Sequence, residues 1–204
     1  MKIAKQGGQV LVDVGANQGE YSVALWRKYR TIVAIEPFFM AMEKLRKNFG
    51  WRCLFTRFLP VECAASDVNG RTFLFLDRDG KRCSGSGDTI EPVFNYRPAS
   101  IPGMELITHH NSGDGEPRQL VESRRLDTVM NNLRINSVDL LKIDVEGAEF
   151  KVLRGAHDTL HITRRVVVEL HDRERKDELE DRLRWCDFET SWLDADHILG
   201  ERIN

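Results

Sequence analysis

With 204 residues the chain can bury one continuous core but is short for a second full domain, so a single domain over 1–204 is expected. Thirty basic against 32 acidic residues give a net charge of −2, which advertises no nucleic-acid partner. Cysteines at 53, 63, 83 and 186 form no CxxC pair, no leader-like apolar core precedes Gln9, and no apolar run approaches the roughly 20 residues that span a bilayer; scattered buried thiols and a soluble, cytoplasmic chain without a membrane partner are expected.

Val10 to Val14 is an apolar run ending at Gly15, a buried strand running into a turn. Glu20 to Tyr29 places Tyr21, Ala24, Leu25 and Tyr29 at helical spacing, and Thr31 to Ile35 returns to a β-branched run. Strand, helix and strand within so short a stretch imply a parallel pair with a right-handed crossover, the unit of a doubly wound α/β sheet. A second helix over Phe39 to Phe49 leads to a third strand over Val61 to Ala65, and Asp67 to Gly70 is a turn before an added strand at Arg71 to Leu76. Periodicity fails from Asp79 to Pro117, where six glycines and four prolines fall, so this stretch is expected to be an irregular insertion or lid.

Beyond it, the pattern predicts a half-exposed strand at Arg118 to Arg124, a helix through Leu126 to Leu133, and a buried strand at Val138 to Ile143. A helix from Ala148 to Leu153, a strand at Arg165 to Leu170 and a helix at Lys176 to Trp185 follow. Two closing strands, Phe188 to Leu193 and His197 to Ile203, are joined by so few residues that they must be an antiparallel hairpin on an otherwise parallel sheet.

Chemistry gathers where strands end. In nucleotide-binding sheets ligands sit at the carboxyl ends of strands, and an acid about 20 residues after the glycine loop binds ribose hydroxyls. Here the loop Asp13, Val14, Gly15, Ala16, Asn17, Gln18, Gly19 follows the first strand, and Glu36 lies 21 positions after Gly15. Its glycines are spaced GxxxG rather than GxGxxG, and the anionic Asp13 suits a cationic ligand better than a pyrophosphate. Asp144 and Glu146 in KIDVEGAE reach the same rim, where they can orient a hydroxyl, take its proton or simply cap the next helix. Glu169, Leu170, His171 and Asp172 end the neighbouring strand, and His171 is a candidate base or orienting group. Carboxylates beside a histidine raise a divalent-metal reading, but the spacing specifies none, and no metal is assigned.

The order VDVGANQGEYS, AIEP, ECAASDVNG, RRLDTV, LLKIDVEGAEFKVLRGA and VVVELH resembles the FkbM-type methyltransferases, a branch of the class I S-adenosylmethionine-dependent enzymes, from about Val10 to His171. The resemblance implies a Rossmann-like, mostly parallel seven-stranded sheet with a terminal antiparallel hairpin, and O-methylation of sugars, glycans or other small hydroxylated acceptors. It implies that Asp13, Gly15, Ala16, Asn17 and Gly19 form the methionine-end loop, that Glu36 binds the ribose, and that Ala64, Ala65 and Ser66 frame the adenine. Asp144, Glu146 and His171 then face the reacting end. Covering helices ahead of the first strand, found in related enzymes, are minimal here, and the segment Asp79 to Pro117 is the expected substitute. Two rivals share the sheet: an NAD(P)-dependent oxidoreductase, disfavoured by the missing GxGxxG, and a cofactor-binding module without catalysis. A nucleic-acid methyltransferase is disfavoured because DVEG stands where an NPPY-like tetrad is expected.

Overall fold

A computed structural model describes residues 7–75, 99–101, 104–107 and 118–203. Its elements run β1 (Gly8–Val14), α1 (Glu20–Leu25), β2 (Tyr29–Ile35), α2 (Phe39–Phe49), β3 (Arg57–Val61), β4 (Ala64–Ser66), β5 (Gly70–Phe75), β6 (Ala99–Ile101), β7 (Met104–Ile107) and β8 (Arg118–Arg125). There follow α3 (Leu126–Leu133), β9 (Leu140–Ile143), α4 (Glu149–Arg154), α5 (His157–His161), β10 (Arg165–Glu169), α6 (Lys176–Trp185), β11 (Phe188–Trp192) and β12 (His197–Arg202).

Seven strands form one sheet in the order β11-β12-β10-β9-β1-β2-β3. All neighbours from β10 to β3 are parallel, while β12 runs antiparallel to both β10 and β11. This is the Rossmann-like, mostly parallel sheet with a C-terminal hairpin that the sequence implies. Central parallel strands are covered on both faces, which is why β1, β9 and β10 are apolar on both faces rather than alternating, with Asp13 and Lys142 as buried exceptions. Along β1, Val10, Val12 and Val14 pack with α3, α4, α5 and α6 through Val129, Leu153, Leu160 and Leu179. Leu11 points the other way, into a cluster with Leu25 and Phe49 on the side of α1 and α2. Buried Met42, Leu45 and Phe49 recur at helical spacing along α2, which stops at Gly50 with a left-handed φ of 48°.

Several boundaries differ from the sequence reading, each for a packing reason. Tyr29 opens β2 instead of closing α1, because it pairs with Gly8 and is buried beside Arg165. The third strand is Arg57–Val61 and contains Pro60, which is tolerated because β3 is the sheet's edge. Ala64 to Ser66 therefore lies outside the main sheet: β4 pairs in parallel with β8 in a second sheet, to which β5, β6 and β7 also belong. Strands β6 and β7 fall within the stretch read as irregular; the rest of 79–117 lies outside the described residues. Cys63 and Cys186 are buried, whereas Cys53 is exposed.

Helix α5 has no counterpart in the sequence reading, and a side chain of the RRLDTV motif docks it. Asp127 Oδ1 accepts hydrogen bonds from Thr159 N (2.9 Å) and Thr159 Oγ1 (2.8 Å), tying α3 to α5 inside the core. Removing this carboxylate leaves two buried donors unmatched, so Asp127→Ala is expected to lower unfolding stability by about 2 kcal/mol. Urea denaturation checks it, and a loss below about 0.5 kcal/mol contradicts this role.

Candidate functional site

The glycine loop is built by backbone turns over the end of β2. Gly15 N and Ala16 N both donate to Ile35 O, at 2.9 and 3.0 Å. Gly15, Asn17 and Gly19 all hold positive φ, at 77°, 48° and 93°, and at Gly15 an added Cβ would sit 1.7 Å from the Asp144 carbonyl oxygen. Only a residue without a side chain lets the ends of β1 and β9 approach so closely. Glu36 locks the loop from below: Oε2 accepts from Asn17 N and Oε1 from Phe38 N, each at 2.9 Å. Its side chain is completely buried.

Asp13 is oriented differently from the sequence expectation. On the parallel ladder its partner in β9 is Lys142, and both side chains are buried. Ser22 Oγ donates to Asp13 Oδ2 at 2.7 Å, and Lys142 Nζ lies 3.5 Å from Asp13 Oδ1. The same ammonium donates to Asp144 Oδ2 at 3.0 Å and sits 4.4 Å from the centre of the Tyr21 ring. Burial pulls the lysine pKa down, but Asp13 and Asp144 outweigh it and hold it above its ordinary value, so Lys142 stays charged. Asp13 Oδ1 makes no hydrogen bond. The negative charge expected to face a cationic ligand is thus matched internally, because strand alternation turns Asp13 toward α1.

Beyond β9 the chain turns sharply through Glu146 and Gly147, with left-handed φ of 55° and 100°. A non-glycine residue in that region is uncommon and clusters at functional sites. Glu149, 1% exposed, closes the turn by accepting from Gly147 N at 2.8 Å. The same Oε1 lies 2.8 Å from His171 Nδ1, while His171 Nε2 lies 3.1 Å from Glu146 Oε2 and 4.0 Å from Glu169 Oε1. Burial lowers the His171 pKa, but the Glu149 hydrogen bond and the charges of Glu149, Glu146 and Glu169 prevail and raise it. Glu169 is in turn held by His197, whose Nε2 is 3.2 Å from Oε2 and whose Nδ1 is 2.8 Å from Asp194 Oδ1.

The structure therefore brings Asp144, Glu146 and His171 onto one rim, at the ends of β9 and β10 and beside the loop from Gly15 to Gly19. Ala64, Ala65 and Ser66 follow the end of β3, where Val61 O accepts from Glu36 N at 3.1 Å, and they pair with β8 and lie against Gly155, where a Cβ would meet Ser66 O at 1.9 Å. Sequence reasoning missed three residues that set the rim: Lys142, Glu149 and His197. A lysine inside an apolar strand and a glutamate just after a turn glycine were visible signals; His197, 28 positions from Glu169, had none.

Among the described residues, no helix is long and apolar enough to cross a membrane. A family model described as the methyltransferase FkbM domain matches residues 13–190, from Asp13 in β1 into β11. The AMB antimetabolite synthetase AmbE of Pseudomonas aeruginosa is 32% identical over 209 residues, covering 89% of this chain and 10% of that one. The 2-O-methyltransferase NoeI of Sinorhizobium fredii is 30% identical, over 81% of this chain and 64% of its own length. The chain thus spans about a tenth of the first relative and just under two thirds of the second. Methyltransferase FkbM from Methylobacillus flagellatus shares the fold, with a TM-score of 0.56 at 16% identity, over 95% of this chain and 43% of that one. With a match that takes in both the buried Asp13–Lys142 pair and the acidic rim it supports, the chain belongs to the FkbM methyltransferase family.

Proposed function

We propose that the chain binds S-adenosylmethionine across the carboxyl ends of β1, β2 and β9 and methylates a hydroxyl oxygen of a sugar, glycan or other small hydroxylated acceptor. One observation carries the reading: Asp144, Glu146 and His171 meet on a rim beside the glycine loop, with Glu146 3.1 Å from His171. When bound, S-adenosylmethionine supplies an electrophilic methyl on a cationic sulfur. The chain's groups fit such a ligand chemically, since the rim is rich in carboxylates, which suit a cationic sulfur.

Gly15, Ala16, Asn17 and Gly19 would present main chain to the amino-acid end of that molecule, and Glu36 would take the ribose once the loop above it parts. Asp13 acts behind them, fixing Ser22 and Lys142. Asp144 and Glu146 orient the acceptor hydroxyl, and Glu146, with a side chain 41% exposed, accepts its proton. His171, anchored by Glu149, positions Glu146. That a relative is named a 2-O-methyltransferase supports an oxygen acceptor of this class.

The experiment is methyl transfer from isotopically labelled S-adenosylmethionine to a panel of hydroxylated acceptors, with calorimetry of cofactor binding alongside. Glu146→Gln is expected to lower turnover about 100-fold while leaving cofactor affinity within a few-fold. Normal turnover by Glu146→Gln removes it from the reaction, and binding of NAD in preference to S-adenosylmethionine overturns the whole reading.

A further inference from the structure

The acidic rim has a feature that proton transfer alone does not use. One ligand atom from each of Asp144, Glu169 and His171 lies within 4.8 Å of the others, at the ends of two adjacent strands. Each of the three is gripped from behind by a different outer partner. Lys142 donates to Asp144 Oδ2 at 3.0 Å, His197 Nε2 stands 3.2 Å from Glu169 Oε2, and Glu149 lies 2.8 Å from His171 Nδ1. The opposite atoms of two of them, Glu169 Oε1 and His171 Nε2, face each other at 4.0 Å. A solvated acidic patch has no reason to fix an imidazole through a carboxylate that is 1% exposed. A metal ligand does, because the outer hydrogen bond sets the ring's tautomer and orientation and strengthens its donor nitrogen.

A second observation comes from the buried side of the same network. Asp13, completely buried, leaves Oδ1 without a hydrogen bond, and the nearest cation, Lys142, is 3.5 Å away because it is shared with Asp144. A buried carboxylate oxygen left incomplete is costly. A cation taken up by Asp144 would relieve its demand on Lys142 and let the ammonium close its 3.5 Å ion pair with Asp13 into a hydrogen bond.

We propose that Asp144, Glu169 and His171 form a binding site for a divalent first-row cation of the manganese type. Two carboxylates and one imidazole suit such an ion, and three protein ligands leave positions for water or an acceptor oxygen. Glu146, 3.1 Å from His171 Nε2, lies beside the ion's site. The ion polarises the acceptor hydroxyl and makes its proton easier for Glu146 to remove. This use of the ion rests on the methyl-transfer reading; its binding does not.

Mn2+ alone, titrated into the purified chain without cofactor or acceptor, tests the site by electron paramagnetic resonance and calorimetry. The expected result is about one Mn2+ per chain, with a pulsed-resonance signature of one coordinated imidazole nitrogen. Glu169→Gln and His171→Asn should each weaken binding tenfold or more, and Glu149→Gln, a positioning change, by about 10- to 100-fold, with circular dichroism confirming that each variant is folded. Absence of Mn2+ binding by the unaltered chain, absence of the nitrogen signature, or affinity untouched in all folded variants each overturns the proposal. Mn2+ binding without methyl transfer to any acceptor leaves the ion site standing and counts against the function, whereas methyl transfer undiminished by chelation removes the ion's part in the reaction and leaves the function.

Discussion

Gly15→Ala is expected to destabilise the fold by more than about 3 kcal/mol, the range reserved for changes that force backbone apart in a packed core. The new methyl would sit 1.7 Å from the Asp144 carbonyl oxygen and 2.8 Å from its carbonyl carbon, both main-chain atoms with no rotamer to yield. A φ of 77° adds strain for any residue carrying a side chain. Relief requires the ends of β1 and β9 to separate, which displaces Asp144 and the start of the DVEG turn together. Loss of stability and loss of methyl transfer should therefore appear in the same variant. Gly200→Ala is the informative comparison: its Cβ would meet Val166 Cγ1 at 2.9 Å, between β12 and the start of β10 and away from the glycine loop. It should cost stability while leaving cofactor affinity in the folded fraction unchanged. A denaturation midpoint for Gly15→Ala equal to that of the unaltered chain would show that the two strand ends are not locked as described.

Lys142→Met is expected to cost about 3–5 kcal/mol, because it removes the single cation shared by two carboxylates, one of them completely buried. Methionine fills similar space, so the loss isolates charge from packing. A double variant, Lys142→Met with Asp13→Asn, should recover part of the loss, since the second change removes a charge the first left unmatched. Guanidinium denaturation of the three variants gives the coupling. A loss below about 1 kcal/mol for Lys142→Met, or no recovery in the double variant, rules out the bridging role.

Both predictions depend on cross-strand geometry, and that marks the limit of what was legible in the sequence. Continuous apolar runs fixed β1, β2, β9 and β10 within a few residues, and the short link before His197 announced the terminal hairpin. The loop from Asp13 to Gly19, Glu36 and the rim acids were found because their positions at strand ends follow from local pattern alone. Orientation did not follow. That Asp13 faces Lys142 and Ser22 depends on the parallel register between β1 and β9 and on α1 covering that face. Glu36 was legible as an acid after β2 but not as a buried brace on Asn17 and Phe38. The third strand expected at Val61 to Ala65 falls instead at Arg57–Val61, because an edge position permits Pro60, and edge status is a property of the whole sheet. His197 reaches Glu169 only because β12 folds back antiparallel on β10.

The second sheet bears on how this domain tolerates change. Strand β8 pairs antiparallel with β5 from Gly70↔Ser123 to Phe75↔Arg118, and then runs without a loop into α3. The two ends of the intervening chain are thus pinned side by side, like the base of a stem. Under that constraint, doubling the length of what hangs from the stem adds only about 0.6 kcal/mol of closure entropy. A change of length between Phe75 and Arg118 therefore adds little closure cost at this stem, provided that the pairing of β7 with β8 is kept.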